Sequence, residues 1–225
     1  MRALIAALLL APLVAAGQAP ETLFNLVTLS AQAEREVPND LLHAVLAAEA
    51  EGTDPAPLAD SVNRAMQRAL ATSQGTKGVK SQSGGYQSFP VYDKGRVVRW
   101  RVRQELRLES GDFTAVSELI GKLQASLVLT SLSLSVAPET RRKTENGLMG
   151  EAYAAFEERA RVARDAMKAK GFRVRDVNFS AGGGAIARQD LAMARSMAAS
   201  SPQAPAIEPG STRILITVSG TVQLQ

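Results

Sequence analysis

The chain has 225 residues, a formal net charge of +4, one histidine and no cysteine. No cysteine means no disulfide, no thiol nucleophile and no cysteine-ligated metal, and the mild, dispersed positive charge argues against nucleic acid as the main partner. With aromatic residues at 4% and hydrophobic residues at 45%, the core is expected to be built mainly from Ala, Val and Leu.

Arg2 precedes an apolar run at 3–16 that ends at Gly17 and Gln18. This run is too short for a membrane span, which needs about 20 apolar residues, and it has the profile of an export signal with small residues at Ala15, Ala16, Gly17 and Ala19 as cleavage points. Residues 1–19 are therefore expected to be a signal peptide, and residues 20–225 the mature protein. Losing Arg2 takes the formal charge from +4 to +3. The expected location is the periplasm, with outer-membrane association left open.

Residues 23–36 read as a strand, and after Val37-Pro38-Asn39-Asp40 a second strand runs over 41–51, which together predict a β-hairpin. In the second strand Leu42, Ala44, Leu46, Ala48 and Ala50 share one face; His43, Val45, Ala47, Glu49 and Glu51 share the other. Asp54-Pro55 starts a helix to about residue 71, with Leu58, Val62, Ala65, Met66, Ala69 and Leu70 as its apolar stripe. Residues 79–92 are polar and extended, and Asp93-Lys94-Gly95 turns the chain into a strand at 97–109, a second hairpin. There Trp100, Val102, Leu106 and Leu108 alternate with Arg99, Arg101, Arg103, Glu105 and Arg107.

Asp112 opens a helix with Phe113, Val116, Leu119, Ile120 and Leu123 on one side, and residues 127–136 alternate Leu with Ser or Thr as a strand. A long helix is predicted over 148–170, with Met149, Ala152, Phe156, Ala160, Ala163 and Met167 inward and Gly171 as its C-cap. Residues 172–180 form the next strand. Gly182-Gly183-Gly184 and an Ala-, Ser- and Pro-rich stretch make 181–210 a flexible insertion, with a short helix at 188–197. A closing strand spans 212–224. The fold class is α+β, antiparallel sheets packed against helices in the order ββαββαβαββ. The mature chain reads as one domain, or as two similar α/β halves at about 20–110 and 111–225.

The strand pair with its following helix, the segment Gly85-Tyr86-Gln87-Ser88-Phe89-Pro90-Val91-Tyr92, the Phe113 helix, Leu132-Ser133-Leu134-Ser135, the Ala-rich helix at 151–170 and the final strand together resemble the SIMPL domain family of exported bacterial proteins. The resemblance spans the mature chain and departs from the family pattern at 141–150 and 183–210. It implies a periplasmic or outer-membrane-associated protein, ring-like oligomers as in some members, and a link to tolerance of oxidative or envelope stress.

Four guanidinium groups on one strand face, Arg99, Arg101, Arg103 and Arg107, are the candidate interaction surface, for anionic headgroups or the acidic face of a neighbouring subunit. The alternative for that stripe is a solvated face paired with Glu105, Glu109 and cross-strand acids. His43, with Glu49 and Glu51 on its own face and Glu34 and Glu36 across the expected hairpin, is weighed as a metal site and set aside as a solvated side chain. Gly182-Gly183-Gly184 lacks the lysine and hydroxyl of a phosphate loop. No catalytic, cofactor or metal site is assigned. The expected function is a non-catalytic envelope protein that self-assembles through sheet edges or helix faces, as scaffold or stress-protective component, with peripheral envelope or membrane contacts. The alternative is a periplasmic module binding a small ligand or peptide between sheet and helices, with Tyr86, Phe89 and Tyr92 as its aromatic lip. A hydrolase or metalloenzyme ranks last.

Overall fold

The computed structural model describes residues 24–182 and 208–225. The expected signal peptide, most of the expected insertion and its short helix lie outside the described residues. The elements are β1 (Leu26–Pro38), β2 (Leu41–Gly52), α1 (Pro55–Gln74), β3 (Val79–Asp93), β4 (Arg96–Ser110), α2 (Phe113–Leu123), β5 (Val128–Ser135), α3 (Pro138–Ala166), β6 (Phe172–Gly182) and β7 (Ser211–Leu224). The α+β order is the one that the periodicity predicts. Among the described residues no helix is long and apolar enough to cross a membrane.

The strands form two antiparallel sheets, β3-β4-β2-β5 and β1-β7-β6. The first carries α1 and α2 on one face, and its core joins Leu42, Leu46, Val102 and Leu106 to Val62, Met66, Leu119 and Ile120. The second carries α3, and its core joins Leu148, Ala152, Phe156 and Ala160 to Ile214, Ile216, Val218 and Val222. The segment 41–135 thus forms one sheet-and-helix layer, set between β1 and the α3-β6-β7 run that completes the other.

The predicted pairing of β1 with β2 is corrected by this topology. β1 lies along β7, with Ala31 opposite Val218, and β2 lies between β4 and β5. A two-residue hairpin needs positive φ at one or both central residues, and neither Asn39 nor Asp40 is among the positive-φ residues. Instead Asn39 N–H donates to Gly210 O in one layer (3.1 Å) and Asp40 N–H to Ser135 O in the other (3.1 Å). The link passes the chain from sheet to sheet. At the β3–β4 turn, by contrast, Lys94 and Gly95 have φ of 47° and 80°, the conformation that closes a tight hairpin.

The helix starts at Asp54 and Asp112 have the expected caps. Asp54 Oδ1 accepts from Ala56 N–H (3.1 Å) and Asp112 Oδ1 from Ala115 N–H (2.9 Å). The long helix is corrected at its start: α3 begins at Pro138, ten residues before 148. Pro138 occupies the first turn, where a missing N–H costs nothing. The N-cap residue Ala137 has no side chain to cap with, and Asp40 supplies the carboxylate from the sheet-to-sheet link, accepting from Ala137 N–H (2.6 Å) and Thr140 Oγ1 (2.5 Å). The buried stripe of α3 is Thr144, Leu148, Ala152, Phe156 and Ala160, a strict four-residue step. Met149 and Met167, expected inward, lie off that step and are exposed.

Candidate functional site

The face of the β3-β4-β2-β5 sheet away from its helices is open, and charge dominates it. Register puts Glu51 opposite Arg101 and Glu49 opposite Arg103, so the acids of β2 stand beside the arginines of β4. Arg101 Nε and Nη2 both donate to Glu51 Oε2, at 3.1 and 2.8 Å. Arg99 reaches the other Glu51 oxygen at 3.1 Å, and Arg101 also meets Glu49 at 3.2 Å. Arg103 lies 3.8 Å from Glu49 and 3.5 Å from Glu105, and Arg107 lies 3.4 Å from Glu105. All four arginines of the stripe are thus brought together, each in contact with an acid. Hydrogen bonding from Arg101, more than partial desolvation opposes it, holds the Glu51 carboxyl below its ordinary value, and the same contact raises the Arg101 guanidinium.

The spacing of Glu49 and Glu51 is legible in the sequence, but that they face the arginines is set by the β2–β4 register. Glu49 and Glu51 recur at the two-residue step of a strand, as the arginines do, and opposite charges on facing strands attract. In the sequence these acids share a strand face with His43, where a metal site is weighed and set aside. In the structure His43 Nε2 is 3.0 Å from Ser135 Oγ, and its Nδ1 is 3.7 Å from Glu109 Oε2. Glu34 and Glu36, expected across a hairpin from His43, belong to the other sheet, 3.9 and 3.6 Å from Arg213. The Ser135-His43-Glu109 order is that of a nucleophile, base and orienting acid. Its 3.7 Å separation is beyond hydrogen-bond length, Glu109 also engages Lys80 at 3.4 Å, and the three lie on an open sheet face. Among the described residues no group of three or more His, Asp or Glu side chains is placed to hold a metal ion.

The three aromatics of β3 are not gathered into one lip. Tyr86 lies opposite Gln104, Phe89 opposite Arg101 and Tyr92 opposite Val97. Gln104 and Arg101 belong to opposite faces of β4, so Tyr86 and Phe89 do too. Phe89 receives the Arg101 guanidinium 5.8 Å from its ring centre. On the helix side, next to Tyr86, a cleft of about 240 Å³ opens between α1 and the β3-β4 strands, lined by Asn63, Met66, Gln67, Leu70, Ser83 and Gln104.

Past the Gly52–Trp100 pair, β4 has only β3 beside it. This two-stranded ribbon exposes apolar side chains that the sequence reading did not single out: Val97 is 46% and Val98 41% exposed, beside Tyr92 at 63%.

The family model described as SIMPL, protein of unknown function (DUF541), matches residues 27–223. The chain belongs to the SIMPL family. Among the described residues the match takes in α1, α2, α3 and every strand but for the first residue of β1 and the last of β7. No curated protein matches this SIMPL chain.

Proposed function

We propose that this SIMPL protein is an exported, non-catalytic envelope component that works by self-association, in a scaffold or stress-protective role. The observation that carries this reading is the β3–β4 ribbon with Tyr92, Val97 and Val98 exposed beyond the last β2 pairing. An isolated two-stranded ribbon is marginal in water, and a contiguous apolar surface on one is a contact surface in search of a cover. Pro90 lacks an N–H for strand addition, and the irregular register around Gly84-Gly85 breaks the edge of β3 further. The contact in this reading is made by ribbon side chains of neighbouring copies, and the arginine face, occupied by its own acids, stays outside it. The test is the absolute mass of the purified protein by light scattering over a concentration and salt series. A discrete multimer is expected, and a monomer at every concentration would remove the reading.

The second reading, a binding module, is favoured by the cleft between α1 and the sheet. Its apolar floor of Met66 and Leu70 under the amides of Asn63, Gln67 and Gln104 suits a small neutral ligand. A ligand-dependent rise in melting temperature, lost when the exposed cleft residue Gln67 is changed in Gln67→Trp, is the expected signature of that reading.

A further inference from the structure

The β1-β7-β6 layer has one rim where α3 stops, and that rim gathers exposed side chains of two kinds. α3 closes in a Schellman motif, with Ala169 N–H donating to Arg164 O (2.9 Å) and Lys168 N–H to Asp165 O (3.1 Å). The residue in the left-handed conformation that this motif needs is Lys168, with φ of 55°, where a glycine would sit without strain. The chain then hooks onto the end of β7. Lys170 and Gly171 N–H donate to Gln225 O, at 2.6 and 3.2 Å, and Leu224 N–H donates to Asn25 O at 2.9 Å. The last turn of α3, the start of β6, the end of β7 and the start of β1 thus meet at one place.

Three cations stand on this rim. Lys168 and Lys170 are exposed in the link from α3 to β6, and the exposed Arg173 stands in one row with Gln223 and Leu26 on the sheet face away from α3. Unlike the arginines of β4, none of the three meets a carboxylate among the described residues. Asp165 is 2.8 Å from Arg164, and Asp176 stands one row further in, opposite Thr221. Beside the cations the rim exposes large apolar side chains: Phe24 is 70%, Met167 58% and Leu26 44% exposed. Two strand spacings put Leu26 about 10 Å from Arg173.

A cation just past a helix C-terminus complements the helix dipole, which accounts for Lys168. It does not account for Arg173, on the opposite face of the sheet, or for the apolar groups held in water. The two kinds of side chain together complement a surface that is negative outside and hydrocarbon beneath. Lys and Arg place their charges on phosphate while their methylenes lie along apolar groups, and Phe and Leu enter the boundary between headgroups and acyl chains. We propose that this rim docks the protein on an anionic bilayer, with Lys168, Lys170 and Arg173 on lipid phosphates and Phe24, Leu26 and Met167 in that boundary. The inference goes beyond self-association: the rim and the β3–β4 ribbon belong to different sheets, and vesicle binding is read on monomer and multimer alike.

The experiment is flotation of the purified protein with vesicles of phosphatidylcholine alone and of phosphatidylcholine mixed with phosphatidylglycerol, at low and high salt. Expected are binding to the anionic vesicles, little binding to the neutral ones, and weaker binding as salt shortens the screening length. Each cation near an anionic surface contributes about fivefold in partition, so Lys168→Gln/Lys170→Gln/Arg173→Gln should weaken binding about a hundredfold. Phe24→Ser/Leu26→Ser should weaken it at least about tenfold and leave the salt dependence in place. Both variants change exposed side chains and are first shown to melt as the parent does. They keep the parent's other N-terminal residues, so a difference in binding belongs to the rim and not to the apolar run at 3–16. No recovery with anionic vesicles, equal recovery with neutral ones, or recovery unchanged in both variants would overturn the proposal. Binding of soluble polyglutamate as tight as that of the anionic vesicles, and indifferent to Phe24→Ser/Leu26→Ser, would overturn it too, by making the rim a site for an acidic protein.

Discussion

Glu51 takes two hydrogen bonds from Arg101 into a single carboxylate oxygen, from Nε at 3.1 Å and from Nη2 at 2.8 Å. The folded state therefore favours the ionised carboxylate, and its pKa lies below the ordinary 4.5. A depressed carboxyl pKa contributes stability that is present above the unfolded value and is lost as pH falls through the folded one. Glu51→Gln should lower the melting temperature slightly at neutral pH, and the gap to the parent should close as pH drops below about 4. Because the pair is exposed and screened, added salt should narrow the gap as well. Thermal melts over pH and salt check this, and a gap that widened in acid would refute it.

Asp40 ties the two layers together through the start of α3. Partial burial works against its charge, but the bonds from Ala137 N–H and the Thr140 hydroxyl outweigh that and hold its carboxyl below the ordinary 3.8. Asp40→Ala removes the carboxylate that accepts from Ala137 N–H and the Thr140 hydroxyl at this helix start and should cost about 1–2 kcal/mol, as other N-cap losses do. Urea unfolding measures it, with an unchanged m-value showing that the fold is retained. The penalty should fade as pH drops well below 3.8, where the parent carboxylate is itself protonated.

These two residues also mark the limit of what the sequence discloses. The β3–β4 hairpin was legible because Asp93-Lys94-Gly95 carries its turn chemistry locally, and α1 and α2 because Asp54 and Asp112 cap them from the adjoining position. The start of α3 was not. Its cap is Asp40, nearly a hundred residues away, and Gly147 and Gly150 interrupt the helical pattern. Pro138 followed by Glu139 was the one local signal for it. β1 and β2 look like a hairpin because two strands separated by two residues usually are one, and only the partners β7, β4 and β5 decide otherwise. The arginine stripe was visible by alternation, whereas its neutralisation by Glu49 and Glu51 depends on strand register, which no short-range pattern fixes.

Two glycines should respond in opposite ways to alanine. Gly150 is inside α3, and a Cβ there meets nothing within 4 Å. Gly150→Ala should stabilise by about 0.5–1 kcal/mol through helix propensity and a less flexible unfolded chain. At Gly220 a Cβ would sit 2.3 Å from the Asp176 carbonyl oxygen and 3.2 Å from the Phe156 ring. The backbone of β6 bulges toward β7 between Val174 and Asp176, and the buried Phe156 closes the other side. Gly220→Ala must push one of them away and should destabilise by at least about 2 kcal/mol. Denaturant melts of the two variants decide both signs.

Self-association can be assigned to the ribbon or to the arginine face by their different physics. Contacts through Tyr92, Val97 and Val98 bury apolar surface, which salt does not screen, whereas contacts through Arg99, Arg101, Arg103 and Arg107 weaken as the screening length shortens from about 10 Å at 0.1 M to about 3 Å at 1 M. Because these arginines already meet Glu49, Glu51 and Glu105, the multimer should hold its mass from low to high salt. Val97→Asp combined with Tyr92→Ser should shift it toward monomer, since a charge cannot be buried unpaired at an apolar contact. The exposed ribbon tip tolerates both changes in the monomer, so the melting temperature should stay near that of the parent. Light scattering on the double variant and on Arg103→Ala separates the cases: dissociation of the first alone places the contact on the ribbon, and dissociation of the second alone, with loss of the parent multimer at high salt, places it on the arginine face.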